Sequence, residues 1–124
     1  MEDGIRIAAK SFEDVEIWQK AHKWVLSVYR FSEGFPKHEL FGLSSQFRRA
    51  AVSVPANFAE GFKKKGRADK LRFYNIAQGS LEECRYYLIL ARDLGYGEVA
   101  EMQEQTVTIG KMLNAYMTAI SNDR

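Results

Sequence analysis

The stretch that decides the fold class is "VAEMQEQTVTIGKMLNAYMTAI", Val99 to Ile120. Its apolar or small residues recur in alternating steps of three and four, at Val99, Met102, Thr106, Ile109, Leu113, Tyr116 and Ile120. This spacing places them along one side of an α-helix, as a seam that packs against other helices, whereas a half-buried strand alternates at every second residue. The stretch therefore predicts a packed helix in an all-α protein.

Three other segments carry seams of the same spacing. They consist of Val15, Trp18, His22, Val25 and Tyr29, then Leu40, Leu43, Phe47, Ala50, Val54 and Phe58, and then Tyr74, Ala77, Leu81, Cys84, Leu88 and Ala91. The segments are bounded by a capping-box-like start at Ser11, by the breaks "EGFPKHE" and "KKKGRAD", and by Gly95 as a C-cap. Because the connections are short, consecutive helices must be antiparallel, and we predict an up-and-down four-helix bundle.

Length and composition predict a single cytoplasmic domain over residues 1–124. The chain is 46% hydrophobic and has no linker-like tract, although residues 1–11 are expected to be loosely ordered. Its lone cysteine excludes an internal disulfide, and its N-terminus lacks the apolar core of a signal peptide. The longest apolar run, Tyr86 to Ala91, is too short to span a bilayer, so no membrane association is expected.

Pro55 interrupts the second helical segment. Inside a helix, proline removes one backbone hydrogen bond and crowds the preceding turn, so we predict a kink near residues 51–54. The alternative is that the segment breaks into two helices at this point.

The side of the second helix opposite its seam is small and mostly apolar. On a wheel of about 100° per residue, Ser45, Val52, Ala56 and Ala59 lie there. A helix that is apolar or small nearly all round is usually buried on both sides, which predicts that this face meets another subunit of a homo-oligomer. The alternative is an alanine-rich surface that merely favours helix formation.

A polar stripe lies beside the core face of the same helix. It contains Gln46, Arg49, Ser53, Asn57 and Glu60, and the third helix offers Ser80 and Glu83 at helical spacing. We expect an interhelical hydrogen-bond network that fixes register, with Glu83 as the partner of Arg49. The alternative is a ligand or active site built from Arg49, Asn57, Glu60 and Glu83.

The sequence shows no catalytic or metal-binding signature, so neither a cofactor nor an enzymatic activity is expected. His22 falls on a core seam, and His38 falls in a turn without a cysteine or carboxylate at metal-ligand spacing. Cys84 lies on a seam and is expected to serve packing. The glycines around Tyr96 do not follow a strand and are not a phosphate loop.

Basic residues cluster around the turn between the second and third helices. The cluster consists of Lys63, Lys64, Lys65, Arg67, Lys70 and Arg72, opposed only by Asp69. The other end of an antiparallel bundle would collect Glu98, Glu101 and Glu104. Repeated around a ring, the basic ends would form a positive surface that attracts the phosphates of RNA or DNA. The alternative is a solvated lysine-rich loop.

Three segments together resemble a known family, the four-helix bundle proteins encoded in intervening sequences of bacterial 23S ribosomal RNA genes. They are "FEDVEIWQKAHKWVLSVYRF", "FPKHELFGLSSQFRRAAVSVPANFAEGF" and "FYNIAQGSLEECRYYLILARDLGY", from about Phe12 to Tyr96. The family positions carried over are Arg48, Arg49, Ser53, Asn57, Glu60, Gly61, Gly79, Ser80 and Glu83. Arg85 departs from the acidic or amide residue that the family pattern places there.

The resemblance implies a four-helix bundle that commonly assembles as a ring-shaped pentamer. A distantly related bundle protein serves the reverse transcriptase of diversity-generating retroelements and binds nucleic acid through a basic pentamer surface, which is an analogy of fold. We therefore expect a non-catalytic oligomer that binds RNA through the basic cluster. The alternative is a scaffold that docks a partner protein or enzyme without touching nucleic acid.

Overall fold

The computed structural model describes residues 9–122, and these form an antiparallel four-helix bundle. The helices are α1 (Glu16–Ser32), α2 (Leu43–Lys63), α3 (Arg67–Asp93) and α4 (Ala100–Asn122), with short 3₁₀ helices at Phe12–Asp14 and Lys37–Glu39. Each α-helix packs against its two neighbours around the bundle, and α2 with α3 is the most extensive pair. No strand occurs in residues 9–122, which confirms the predicted all-α class. No helix in this range is long and apolar enough to cross a membrane.

The capping box at Ser11 is present but belongs to a 3₁₀ turn. The Ser11 hydroxyl accepts the Glu13 N–H, and the Asp14 carboxylate accepts the N–H groups of Ser11 and Lys10. Helix α1 begins later, at Glu16. Most of the segment predicted to be loosely ordered, residues 1–8, lies outside the described residues.

The core confirms three of the four predicted seams in large part. All six seam residues of α3 are buried, from Tyr74 to Ala91, and the seam of α4 is buried or half-buried throughout. In α2, the seam residues from Leu43 to Phe58 are buried, whereas Leu40 is exposed because it precedes the helix.

The seam predicted for α1 is wrong at two positions. His22 and Tyr29 are exposed, and the core side of α1 consists of Ile17, Ala21, Trp24, Val25, Val28 and Ser32. The segment offers two overlapping apolar stripes, and the bundle buries the one that holds Ile17, Trp24 and Val28. His22 stacks on the Trp18 ring instead, at 5.1 Å between ring centroids.

Helix α2 continues through Pro55. Because α2 spans Leu43–Lys63 with Pro55 buried inside it, the alternative of two separate helices is wrong. The kink remains a prediction.

Gly95 ends α3 as predicted. Its φ of 77° is left-handed, a conformation that glycine adopts without the penalty of a Cβ. The Gly95 N–H donates to the Arg92 carbonyl at 3.0 Å, and the Tyr96 N–H donates to the Ala91 carbonyl at 2.9 Å, which is a Schellman motif. The Tyr96 hydroxyl donates to the Glu39 carboxylate at 2.7 Å, and this bond joins the α3–α4 loop to the α1–α2 loop.

Candidate functional site

Helices α2 and α3 approach closely at Gly61. A Cβ at this position would lie 2.7 Å from Cε1 of Tyr74 and 3.0 Å from Cβ of Phe73, closer than carbon atoms pack. The absence of a side chain at Gly61 therefore permits the contact between the two helices.

Helices α2 and α3 pack along a line of contact, here called the α2–α3 seam. Side-chain hydrogen bonds cross this seam at the positions of the predicted polar stripe. The hydroxyls of Ser53 and Ser80 lie 2.7 Å apart, and the Asn57 side-chain amide donates to the Ser53 hydroxyl at 2.9 Å and to the Ser53 carbonyl at 2.8 Å. The three side chains are half-buried. Their bonds connect successive turns of α2 to one position of α3.

Tyr87 forms a second, separate set of hydrogen bonds beside the α2–α3 seam, and sequence reasoning missed it. Its hydroxyl donates to Glu83 at 2.5 Å and lies 3.2 Å from the side-chain oxygen of Gln46. The bond to Glu83 raises the pKa of Tyr87 to about 12, with a further contribution from burial. The signal was available, because Tyr87 follows Glu83 by one helical turn.

The predicted pairing of Arg49 with Glu83 is wrong. Glu83 accepts the Tyr87 hydroxyl instead, and Arg49 is exposed without an ion pair among residues 9–122. Both residues line the same open cleft of about 520 Å³ between α2 and α3. Glu60 is also exposed and forms no hydrogen bond or ion pair with the described residues.

Arg48 faces the other side of α2. Its Nε donates to the Ser32 hydroxyl at 2.7 Å, and its guanidinium lies 5.1 Å from the centre of the Tyr29 ring. The two adjacent arginines therefore differ in role. Arg48 contacts α1 and stabilises its packing on α2, whereas Arg49 faces solvent beside the α2–α3 seam.

The predicted subunit interface lies on the outer side of α2. Val52 and Ala56 are exposed, and Ser45 and Ala59 are half-buried. On neighbouring α3, Gly79 is exposed, and a Cβ there would meet no atom within 4 Å. Nothing in residues 9–122 explains a glycine in the interior of this helix, where glycine weakens the helix.

The basic cluster surrounds the turn between α2 and α3. Lys63, Lys65 and Arg67 are exposed. The Phe73 ring has the ammonium of Lys64 at 5.1 Å and the guanidinium of Arg72 at 4.5 Å from its centre. Asp69, the only acid among them, lies 3.6 Å from Arg72.

Lys70 has a different setting from the rest of the cluster. Its ammonium donates to the carbonyls of Phe62 at 2.7 Å and Gly61 at 3.4 Å, at the C-terminal end of α2. The side chain is half-buried, and desolvation lowers its pKa. Lys70 therefore caps a helix, which leaves its ammonium less available to a phosphate than those of Lys63 and Lys65.

The two histidines and the cysteine have different surroundings. His22 stacks on Trp18, His38 lies 3.8 Å from Glu39, and Cys84 is buried in the core, where burial raises the pKa of its thiol. Within residues 9–122, no group of three or more histidine, cysteine, aspartate or glutamate side chains is arranged to hold a metal ion.

Arg85, the departure from the family pattern, stays outside the network. Its guanidinium pairs with Glu82 at 3.0 Å, one turn earlier on α3, and both side chains are exposed. The substitution leaves the bonds between Ser53, Asn57 and Ser80 in place.

The fold and the α2–α3 seam define a class of protein. It is an antiparallel four-helix bundle whose second and third helices are joined by side-chain hydrogen bonds and connected by a basic turn. The chain belongs to the family described as 23S rRNA-intervening sequence protein, whose profile matches residues 13–115.

A solved structure shows the same fold. It is a crystal structure of a protein with unknown function from the S23 ribosomal protein family of Bacteroides thetaiotaomicron. The two chains are 22% identical and superpose with a TM-score of 0.76, over 82% of this chain and 95% of the other. None of the curated proteins matches this chain.

Proposed function

We propose that this protein is a non-catalytic homo-oligomer that binds RNA through the basic cluster at the α2–α3 turn. The observation that carries the proposal is the exposure of Lys63 and Lys65 at a turn whose acid, Asp69, already lies beside Arg72. The positive charge of these two lysines is therefore available to an external anion.

Such a surface favours contact with the phosphate backbone over base readout. Lysine and arginine neutralise phosphates without reading sequence, and binding releases condensed counterions. Glu33, Asp93, Glu98 and Glu101 are exposed toward the far end of the bundle. This polarity orients a protomer with its basic end toward nucleic acid.

The outer face of α2 supports the oligomer. Val52 is 41% exposed, and Ala56 beside it offers a small side chain that permits close approach of a second subunit. Gly79 on α3 has open space where a Cβ would stand. The family resemblance favours a pentamer, whose five basic turns would bind one RNA multivalently.

The test is a titration of the protein into labelled structured RNA and duplex DNA across a salt series, with the mass determined by light scattering in the same buffers. We expect an oligomer whose logarithmic affinity falls linearly with the logarithm of salt concentration, by about 0.7 to 0.9 per phosphate contacted. An oligomer that binds neither nucleic acid at low salt would contradict RNA binding.

The residues are tested by the double variant Lys63→Glu/Lys65→Glu. We expect a flatter salt dependence and an affinity lower by at least about tenfold, since each subunit loses two phosphate contacts. The matched control is Lys37→Glu/Lys111→Glu, which changes the charge equally at exposed positions outside the cluster. Equal losses in both variants would show that net charge, and not the α2–α3 turn, governs binding.

The interface is tested by Ala56→Arg. We expect it to lower the oligomeric mass while the monomer keeps its helical circular dichroism, because an arginine would be forced against the neighbouring subunit. Ala119→Arg, at an exposed position of α4, serves as the control. An unchanged mass for Ala56→Arg would remove the outer face of α2 as the interface.

A protein-binding scaffold is the second candidate, favoured by the exposed apolar side chains before α2. Phe41 is 92% exposed and Leu40 is 53% exposed, an arrangement typical of contact with another protein. A Phe41→Ser variant that keeps its mass and RNA affinity but no longer retains a cellular partner would support this role. The relation to the accessory protein of diversity-generating retroelements remains a prediction.

A further inference from the structure

Two phenylalanine rings lie among the cations of the α2–α3 turn. Phe73 is half-buried, and the Lys64 ammonium and the Arg72 guanidinium lie 5.1 Å and 4.5 Å from the centre of its ring. The ring of Phe62 has the Lys70 ammonium at 5.4 Å. Neutralising a phosphate requires a cation but no aromatic side chain. Cations that alternate with aromatic side chains are typical of surfaces that bind single-stranded nucleic acid, on which bases stack.

Two contacts fix the position of the Arg72 guanidinium. The guanidinium lies over the Phe73 ring, and its Nη2 lies 3.6 Å from the Asp69 carboxylate. The Arg72 side chain is nevertheless 61% exposed, so the side of the guanidinium away from the ring faces solvent. A guanidinium is planar, and unpaired RNA bases stack on arginine planes as they do on aromatic rings. Arg72 therefore offers a base a positioned and accessible surface.

Arg85 on the same helix lacks this arrangement. It also pairs with an acid one turn earlier, at 3.0 Å from Glu82, and its side chain is 51% exposed. Among residues 9–122, the contacts between cations of α3 and aromatic rings involve Lys70 and Arg72 but not Arg85. The contact with the Phe73 ring therefore distinguishes Arg72 from an ordinary surface ion pair.

We propose that the α2–α3 turn binds unpaired RNA, with a base stacked on the exposed side of the Arg72 guanidinium and the flanking phosphates at Lys63 and Lys65. This inference rests on the proposed RNA-binding function and adds the class of RNA. In a duplex, neighbouring base pairs cover the faces of each base, whereas unpaired segments leave them open to stacking. Because Asp69 already balances the charge of Arg72, this guanidinium contributes through stacking more than through phosphate neutralisation.

The test measures the affinity of the full chain for three labelled RNAs by fluorescence anisotropy. They are an unstructured uridine dodecamer, an abasic strand with the same phosphates but no bases, and a blunt-ended duplex. We expect the uridine dodecamer to bind at least about fivefold more tightly than the abasic strand, because only the former has bases that stack. Equal affinities for the two single strands overturn the proposal.

The variant Arg72→Lys keeps the charge and removes the planar guanidinium. We expect it to weaken binding of the uridine dodecamer at least about fivefold and to leave the abasic strand and the duplex unchanged. Arg85→Lys is the matched control, since it makes the same change in a second exposed ion pair of α3, and it should leave all three affinities unchanged. An Arg72→Lys variant that binds the uridine dodecamer as the wild type does overturns the proposal, as does an equal loss for the abasic strand.

Failure of this proposal is distinguishable from failure of the proposed function. Lys63→Glu/Lys65→Glu should weaken binding of all three RNAs, because each of them carries phosphates. If that variant does so while Arg72→Lys changes nothing, RNA binding at the turn stands and base stacking on Arg72 is overturned. If the wild type binds none of the three RNAs at low salt, both proposals are overturned.

Discussion

The α2–α3 and α1–α4 seams of the same bundle differ in whether their polar side chains are hydrogen-bonded. Across α2–α3, Ser53 bonds to Ser80 and Asn57 bonds to Ser53. Across α1–α4, Trp24 and Gln105 keep a buried donor and a buried acceptor without partners. The comparison shows that side-chain hydrogen bonds join α2 to α3 directly, whereas the two buried atoms between α1 and α4 form none within residues 9–122. The α2–α3 seam is not fully satisfied either, because the Tyr74 hydroxyl that packs beside α2 also lacks a partner there.

Side-chain size explains much of the difference. Gly61 lets α2 and α3 approach until Tyr74 fills the space of a missing Cβ, and short serine side chains then reach one another. On the other side, the large Trp24 and Ile109 side chains lie between α1 and α4, which meet less extensively.

The most damaging single change in this comparison is Gly61→Ala. The added methyl group would lie 2.7 Å from the Tyr74 ring, and we expect overpacking to lower the free energy of unfolding by about 1 to 3 kcal/mol. Urea unfolding followed by circular dichroism measures the loss. The control is Gly34→Ala, where a Cβ would lie at an ordinary contact distance of 3.5 Å from the Phe31 carbonyl oxygen and little loss is expected. Equal stabilities of the two variants would contradict the close approach at Gly61.

Tyr87→Phe removes the hydroxyl that binds Glu83 and lies beside Gln46. We expect a loss of about 1 kcal/mol, since the ring still packs while the hydroxyl no longer donates to Glu83 within α3 or to Gln46 across the seam. Tyr86→Phe, at an exposed position one residue earlier, is the control and should leave stability nearly unchanged.

The Tyr87 hydroxyl also makes the free energy of unfolding depend on pH. The pKa of Tyr87 is about 12 in the folded chain, above the ordinary value of about 10, so the stabilisation is fully present below pH of about 10. It is lost as the pH rises from about 10 toward 12, because the unfolded chain releases the phenol proton first. Urea unfolding between pH 8 and pH of about 11 should show a smaller decline for Tyr87→Phe than for the wild type. Parallel declines would contradict this contribution.

Ser53→Ala and Ser80→Ala test whether the two hydroxyls act together. Each single change should cost about 1 kcal/mol, and the double variant should cost less than the sum, because either change already breaks the shared bond. A double-mutant cycle in urea gives the coupling energy. Ser27→Ala, whose hydroxyl bonds only within α1, should add independently to either change; additive costs for Ser53 and Ser80 would mean that their bond contributes nothing.

Gly79→Ala tests whether α3 takes part in the proposed oligomer. The position has open space and lies inside α3, so alanine should raise the stability of the monomer by about 0.5 to 1 kcal/mol. If a second subunit approaches here, the same change should lower the oligomeric mass measured by light scattering at dilute concentration. Higher stability with an unchanged mass would place the interface elsewhere.

Much of this fold could be predicted from the sequence, because the helical spacing of apolar residues and the capping residues at helix ends indicate the same four helices. The α3 and α4 seams and the Gly95 C-cap have strong local signatures, and the structure contains all of them. Helix α1 was harder because its two apolar stripes overlap. The choice between Trp18 and Trp24 as the core tryptophan depends on the neighbouring helices, and local spacing does not contain that information.

The candidate site shows the same limit. The positions of Ser53, Asn57 and Ser80 on facing stripes were enough to predict an interhelical bond. The partner of Glu83 was not predictable in this way. Glu83 accepts a hydrogen bond from Tyr87 on the same helix, and not from Arg49 across the seam. The buried Trp24 and Gln105 atoms without partners have no sequence signature, since they depend on how α1 and α4 pack together.

The three-residue connection between α2 and α3, residues 64–66, has a consequence for how the chain folds. It brings the most extensively packed pair of helices together across a short loop, whose closure costs little chain entropy. We expect this helical hairpin to form in the folding transition state, with α4 closing onto α1 afterwards. Substitutions in the α2–α3 seam should then slow refolding, whereas those between α1 and α4 should mainly accelerate unfolding.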